Sequence, residues 1–339
     1  MAEQYAKDKP IGFINRIEKV AIIGAGGRVG KHFAEELVKT GKHAVVALTR
    51  AESKSKFPEG VKVVQINYDD EESIVSALKG QQFLIITLAV QGPSSETHSN
   101  LVKAAAKAGV PYIMPNAYGT DIMNKKFGEE NLTGVVCLQH CVEIEGTGVS
   151  SYIAMVCGQW YEWSLALGEP FFGFDIKNKR VTFFDDGKTR VNISTWGQCG
   201  RALAALLSLK ELPDDVNDES PTVSQWKNKA LYIASFRISQ REILDSLHRV
   251  IGTTDKDWEI SYEPTGERYK NALEELKKGS QVAFAKTLYS RIFFPNGDGD
   301  FESSRGLANS LIGLPEDDLD EATKRTVEMV ESGWNPFAQ

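Results

Sequence analysis

The chain has 339 residues, with 39 Lys or Arg against 46 Asp or Glu and a formal net charge of −7. That length buries a full core and suits one large domain or one domain with a substantial appendage. The acidic balance, with no basic run, argues against nucleic acid or an anionic membrane as partner, and four cysteines are too few for a disulfide framework and suit a reducing compartment.

Residues 1–18 read as an N-terminal extension without an apolar core long enough for a secretory signal, and no later stretch is a continuous apolar span. A soluble, cytoplasmic protein is expected, in which the sequons at Asn131 and Asn192 carry no glycan. From Lys19 to Arg50 the chain reads as strand, turn, helix and strand. Val20, Ala21, Ile22 and Ile23 form a short apolar run, as a parallel strand buried on both faces requires. Gly24, Gly27 and Gly30 then fit G-x-x-G-x-x-G, and Gly24 with Gly26 also begins G-x-G-x-x-G. Small residues at this spacing let the backbone turn tightly, approach a pyrophosphate and pack the next helix on the strand. The helix expected over residues 29–40 aims its free N–H groups and positive end at the phosphates, and Gly41 ends it.

His43 to Thr49 supplies the second strand, and Arg50 stands where a fold selecting the unphosphorylated cofactor carries an acid. A carboxylate there binds the ribose 2′-hydroxyl, whereas a guanidinium holds a 2′-phosphate in charge-assisted hydrogen bonds. With Lys54 and Lys56 close behind, the expected cofactor is NADP(H).

Further strands are expected at Val61 to Ile66, Phe83 to Leu88, Tyr112 to Met114 and Ser151 to Val156. Between them lie a helix capped by Asp69 or Asp70 and stopped by Gly80, one over residues 97–108 closed by Gly109, and one near residues 138–146. This alternation predicts an α/β, Rossmann-type, doubly wound parallel sheet over residues 19–158, whose ligands lie beyond the carboxyl ends of the strands. Those ends are Gly24 to Gly30, Thr49 and Arg50, Asn67 and Tyr68, Leu88 to Gln91, and Pro115 to Asp121. The pattern changes from residue 159 onward, where a smaller α+β region, mainly substrate-binding, is expected. There the segment KRVTFFDDGKTRVNIS reads as a hairpin turning at Asp186 and Gly187, KALYIASF as one strand, and Ser239 with Glu242 as a capping box. Helices are expected over residues 196–209, 265–278, 281–292 and 317–332.

GAGGRVG, the ALTR ending on Arg50, VVQINYDDEESIVSALKG and AAAKAGVPYIMPNAYGTD together resemble the NmrA-like and isoflavone-reductase-like proteins, atypical short-chain dehydrogenases. The resemblance spans roughly residues 17 to 310 and is close to fungal secondary-metabolism members. It implies an NADP(H)-dependent oxidoreductase, and a dinucleotide touched by Gly24, Gly27, Arg28, Gly30, Thr49 and Arg50, with Leu88 and Asn116 bordering the nicotinamide. Gly26, Val29 and Asn67, on the same turn and at a strand end, are further candidate cofactor contacts. Two departures stand out. The Y-x-x-x-K of ordinary short-chain dehydrogenases occurs only as Tyr5 and Lys9, ahead of the first strand. The helix expected near residues 138–146 lacks the lysine that the reductase branch carries there after the turn matching Pro115-Asn116-Ala117-Tyr118-Gly119, and alignment on Gly148 and Val149 puts Cys137 near its position.

Asn116, Tyr118 and His140 are the candidate catalytic residues. Asn116 and Tyr118 end the fifth strand and could hydrogen-bond a substrate carbonyl or the nicotinamide amide, with Tyr118 as a proton donor. His140 and Glu143 are neighbours at i and i+3 that could act as acid and base. Cys137, His140 and Cys141 share a helix face but lack an evident fourth ligand, so no metal is expected. Asp121 reads as a helix cap or as a partner for a cationic nitrogen. Trp160, Tyr161, Trp163, Phe171, Phe172 and Phe174 read equally as ordinary core or as the wall of a large apolar pocket for a bulky aromatic or alkaloid-type metabolite. Hydride transfer to or from C=N, C=C or C=O, which can be coupled to ring formation, is the leading expectation. A cofactor-binding redox sensor without turnover is the competing one, and the chain is compatible with an oligomer.

Overall fold

In the computed structural model, which describes residues 5–89 and 95–336, strand and helix alternate after Glu18. The first part contains β1 (Lys19–Ile23), α1 (Arg28–Lys39), β2 (Ala44–Thr49), β3 (Lys62–Gln65), α2 (Glu71–Leu78), β4 (Phe83–Ile86), α3 (Ser95–Lys107), β5 (Tyr112–Met114), α4 (Lys125–Glu130), α5 (Gly134–Gly146) and β6 (Ser151–Val156). The second contains β7 (Gln159–Trp160), α6 (Tyr161–Ala166), α7 (Glu169–Phe172), β8 (Phe174–Asp175), β9 (Arg180–Phe184), β10 (Val191–Ser194), α8 (Trp196–Leu207), β11 (Lys229–Tyr232) and β12 (Phe236–Ile238). It ends with α9 (Gln240–Ile251), β13 (Glu259–Glu263), α10 (Thr265–Lys277), α11 (Gln281–Ile292), α12 (Phe301–Arg305) and α13 (Leu319–Glu331).

Seven strands form one parallel sheet in the order β11-β6-β5-β4-β1-β2-β3. Its central strands β1, β4, β5 and β6 are buried almost throughout, because helices cover both faces. One face packs Phe33 and Leu37 of α1 against Leu203 and Leu207 of α8, while the other packs α2, α3 and α5. Ile23 lies level with Leu48 on one side and Ile86 on the other, and Ile85 with Met114. The carboxyl ends of four adjacent strands therefore share one edge.

The division near residue 158 is not a clean cut in space. α8 and β11 return to the sheet, and Leu231 and Trp226 enter the same core as Val20 and Ile22. The remaining elements enclose a separate core of Phe172, Phe174, Phe183, Phe184, Ile243, Leu247 and Phe293.

Two strand expectations need correction. The hairpin at Asp186 and Gly187 does not form: β9 pairs with β8 and β13, and β10 pairs with β12 and β7 in a different sheet. Phe183 and Phe184 are both buried, so β9 runs through the core with neighbours on both edges and has none left for β10. Asp185 then turns with φ +52° and caps α10, accepting from Thr265 N at 2.9 Å and Thr265 Oγ1 at 2.6 Å. The segment KALYIASF is two strands, since β11 stays in the large sheet while Phe236 begins β12 in the small one. The Ser239–Glu242 capping box forms as the spacing requires.

Asn131 and Asn192 are both buried and hydrogen-bonded, Asn131 to Thr120 and the start of α5, Asn192 to Glu302, which closes them to glycan attachment in the folded chain. No helix among the described residues is long and apolar enough to cross a membrane.

Arg291 ties α11 to α4 from inside the second core. It is fully buried, donates through Nε to Glu130 at 2.6 Å, pairs with Asp298, and lies 4.7 Å from the ring centres of both Phe127 and Phe294. Arg291→Ala is expected to lower unfolding free energy by about 3–5 kcal/mol, because it strands two carboxylates beside a cavity. Urea titration monitored by circular dichroism checks this; a change under about 1 kcal/mol would mean the network contributes little.

Candidate cofactor and active site

At the end of β1 the chain must turn between two packed elements. Gly24 adopts φ +79°, and a Cβ there would lie 2.1 Å from the Thr87 carbonyl oxygen. A Cβ on Gly30 would lie 2.2 Å from the Gly24 oxygen. These two glycines are therefore required by the fold itself. Gly27 differs: its N–H donates to Gly24 O at 2.8 Å, and a Cβ there would meet only that same oxygen, at 3.0 Å. No other described atom lies within 4 Å of that Cβ, so the fold leaves room beside the Gly27 backbone.

α1 starts at Gly27 with no side-chain cap and no acid in its first turn. By contrast α2, α8, α9, α11 and α13 are each capped by their own Asp, Ser or Thr. α5 and α10 also lack a bond from their own N-cap residue, but Asn131 and Asp185 accept from their first N–H groups, whereas the first N–H donors and positive end of α1 are left for an anion. Val29 is buried in the core, so only its backbone can serve such a ligand.

Around this turn the sequence-expected residues fall in different states. Ser55 and Lys56 lie against Gly26, whose added Cβ would be 2.6 Å from Ser55 Cβ, which brings the basic segment after Arg50 onto the turn. Arg50 is exposed, with Nε 3.3 Å from Glu52, and extends beyond Thr49 at the end of β2. Asn67 is exposed at the end of β3, its Oδ1 accepting from Asp69 N at 3.1 Å. Arg28 instead turns toward the C-terminal segment: its guanidinium lies 4.2 Å from the Trp163 ring centre and donates to Pro336 O at 3.1 Å, and burial holds its pKa below the usual value.

The next strand end is tied to the turn. Thr87 Oγ1 donates to Ile23 O at 2.8 Å and contacts Gly24 O at 3.1 Å. Asn116, at the end of β5, clamps Leu88 through two bonds: Oδ1 accepts from Leu88 N and Nδ2 donates to Leu88 O, each at 3.1 Å. Asn116 N donates to His98 Nε2 at 3.4 Å. His98 stacks on His140, with centroids 3.7 Å apart and planes 13° apart, and its Nδ1 faces Glu143 Oε2 at 3.7 Å. Burial, then the neighbouring His140, push His98 down to about 3, and burial lowers His140 as well. Cys137 Sγ lies 3.9 Å from Asn116 O, with burial pushing its thiol up to about 11. Of the catalytic candidates, Asn116 and His140 thus lie on either side of the buried His98 ring, with Glu143 beside it.

Tyr118 and Asp121 both point inward. The Tyr118 hydroxyl donates to Ile86 O at 3.0 Å while its ring packs on Phe33, and burial raises its pKa well above that of a free phenol. It is turned into the sheet and offers no proton to a ligand. Asp121 is buried, accepting from Tyr232 Oη and Met123 N, each at 2.9 Å, with Arg305 at 3.2 Å. It anchors a loop and leaves no charge for a substrate. Of the six aromatics, Tyr161, Phe172 and Phe174 are fully buried core, whereas Trp160, Trp163 and Phe171 are half-buried. Trp160 and Trp163 join Trp196 and Trp334 in one cluster beside α1. Val90 and Gln91 fall outside the described residues.

His98 and Thr87 escaped the sequence reading. His98 precedes Leu101, Val102 and Ala105 at helical spacing on the buried face of α3, which is the signal that would have placed it. Thr87 sat inside an apolar run and looked like strand.

Residues 24–135 match the NAD(P)H-binding family. Among relatives, the oxidoreductase aprR of Aspergillus flavus is 27% identical over 310 residues, covering 89% of this chain and 96% of that protein. Among solved structures, isoflavone reductase superposes with a TM-score of 0.69 at 19% identity, over 91% of this chain and 99% of that one. The NADPH-dependent quinone oxidoreductase of Escherichia coli, complexed with NADPH, superposes with a TM-score of 0.62 at 19% identity, again over 91% and 99%.

Gly27→Val is expected to leave the circular dichroism spectrum unchanged while weakening NADPH binding about tenfold or more in calorimetry, whereas Gly30→Val loses the fold. Wild-type affinity in Gly27→Val would place the phosphates elsewhere. A second expectation concerns acid. The folded chain keeps His98 neutral, while the unfolded chain protonates it below pH 6.5, so the penalty is absent above pH 6.5 and grows as pH falls toward 3. Between pH 6.5 and 5 wild type should lose roughly 1–2 kcal/mol more unfolding free energy than His98→Gln. Equal losses in denaturant titrations at the two pH values would show that His98 is not the excluded proton site.

Proposed function

For a chain whose residues 24–135 match the NAD(P)H-binding family and whose fold is that of isoflavone reductase, we propose an NADP(H)-dependent oxidoreductase. It acts on a bulky, aromatic or alkaloid-type metabolite, moving hydride to or from a C=N, C=C or C=O bond, and the transfer can be coupled to ring formation. The carrying observation is the uncapped start of α1 behind Gly27, with Ser55 and Lys56 on the turn and Arg50 where an acid would select the unphosphorylated cofactor. A nicotinamide dinucleotide supplies or takes up the hydride when bound.

The protein's part is binding, orientation and exclusion of water. Gly24 to Gly30 and the α1 N–H groups receive the pyrophosphate, Arg50 the 2′-phosphate, and the Leu88–Asn116 clamp fixes the backbone beside the nicotinamide. No strong acid faces this edge from the catalytic candidates, since Tyr118 donates inward and His98 and His140 are held neutral. That favours electron-poor acceptors such as iminium ions, enones or quinones, for which proximity and orientation supply most of the acceleration. The half-buried Trp160 and Trp163 suit the apolar body of such a substrate. The same lack of an acid supports the second reading, a redox sensor that binds cofactor without turnover.

Purified protein supplied with NADPH and a panel of iminium, enone and quinone acceptors separates the two. Oxidation of NADPH dependent on one acceptor class supports the enzyme, and cofactor held without any turnover supports the sensor. Arg50→Asp should weaken NADPH binding about tenfold or more while leaving NADH within about threefold. Equal loss for both cofactors in calorimetry would remove the 2′-phosphate role from Arg50. On an acceptor that is turned over, Trp160→Ala should harm rate or selectivity at least as much as Tyr118→Phe. A fall of several thousandfold in Tyr118→Phe with cofactor binding intact would make Tyr118 the acid after all.

A further inference from the structure

We infer that His98, with Glu143 behind it, is a positioning residue that sets the backbone on which the nicotinamide end of the cofactor rests. This rests on the cofactor reading above and adds to it a residue that touches neither phosphate nor substrate.

The chain of contacts runs inward from the loop. Leu88 follows β4, the strand that Thr87 ties to the glycine turn, so its backbone borders the half of the edge on the β4–β5 side of the phosphates. Both polar groups of Leu88 are taken by one side chain, that of Asn116. A planar amide can make both bonds only at one setting of its own backbone, and the Asn116 N–H is fixed by His98 Nε2. His98 must therefore accept, which places its single proton on Nδ1. The Glu143 carboxylate 3.7 Å from Nδ1 favours that tautomer. The parallel stack with His140 holds the ring plane, so His98 can neither flip nor swing. His98 is 1% exposed, and its Nδ1 has no hydrogen-bond partner among the described residues, a polar atom the protein tolerates in exchange for a fixed acceptor. A role confined to packing would be served equally by a leucine on this face of α3, and leaves the acceptor and the facing carboxylate unexplained.

The test compares two ligands on the full chain. NADPH carries the nicotinamide end, and 2′,5′-ADP carries only the adenosine and 2′-phosphate end. His98→Leu should weaken NADPH roughly five- to tenfold by calorimetry and leave 2′,5′-ADP unchanged. His98→Gln, whose Oε1 reaches the place of Nε2 and still accepts, should stay within about twofold of wild type for both. Glu143→Ala, at a partly exposed position that does not threaten the fold, should weaken NADPH alone by about two- to threefold. Unchanged NADPH affinity in both His98→Leu and Glu143→Ala would overturn the proposal, as would equal loss of the two ligands in Glu143→Ala. Equal loss of both ligands by His98→Gln would reduce His98 to a packing residue. Failure of wild type itself to bind 2′,5′-ADP while it binds NADPH would instead strike the 2′-phosphate reading and leave the His98 comparison standing on NADPH against adenosine diphosphate.

Discussion

One hydroxyl joins the two halves of the site. Thr87 Oγ1 reaches across from β4 to the carbonyls of Ile23 and Gly24, and the space it occupies is the space a side chain at Gly24 would need. The strand register brings β1 and β4 level. The Thr87 bond then converts that level edge into a defined junction, with the helix start on one side and the Leu88 backbone on the other. Glycine at 24 and 30 and threonine at 87 are thus a single steric decision made at three positions. A methyl group at Gly24 would displace Thr87, and with it the loop that Asn116 clamps.

The second region holds its shape by a different balance. Its core is aromatic, and two arginines are sunk in it, each answering two carboxylates: Arg268 with Glu169 and Glu263, Arg291 with Glu130 and Asp298. Burying a guanidinium is expensive, and a flat cation against phenyl faces with carboxylates at its edge offsets part of that cost. Asp317 acts at the seam, accepting from Thr195 and Ser235 and pairing with Arg201 of α8. Because α8 packs on α1, this carboxylate couples the C-terminal loop to the helix that follows the glycine turn.

What could be read beforehand divides along physical lines. Parallel strands buried on both faces, glycine stops, and the Asp70 and Ser239 caps are local, and each left a local mark that the structure repeats. The pairing of β9 and β10 was misjudged because Asp186-Gly187 signals a turn but says nothing about which edges are already taken. Tyr118 reads as functional from its place at a strand end, and Asp121 as a cap or a partner for a cation. Their direction was decided by Ile86 O, Tyr232 and Arg305, groups 32 to 184 residues away. His98 was hidden for the opposite reason, since a histidine on a buried helix face looks like packing until its acceptor is located.

The course of the last turns past Glu331 has a spectroscopic consequence. Trp334 lies edge-on to both Trp163 and Trp196, and Trp163 covers the Arg28 guanidinium whose N–H reaches Pro336. Four of the six tryptophans, Trp160, Trp163, Trp196 and Trp334, are therefore gathered at the start of α1, leaving Trp226 and Trp258 elsewhere in the chain. A rearrangement at the start of α1 would therefore change the surroundings of four of the six indoles at once. The unlabelled chain carries its own optical gauge of whether its carboxyl-terminal segment is seated on that helix.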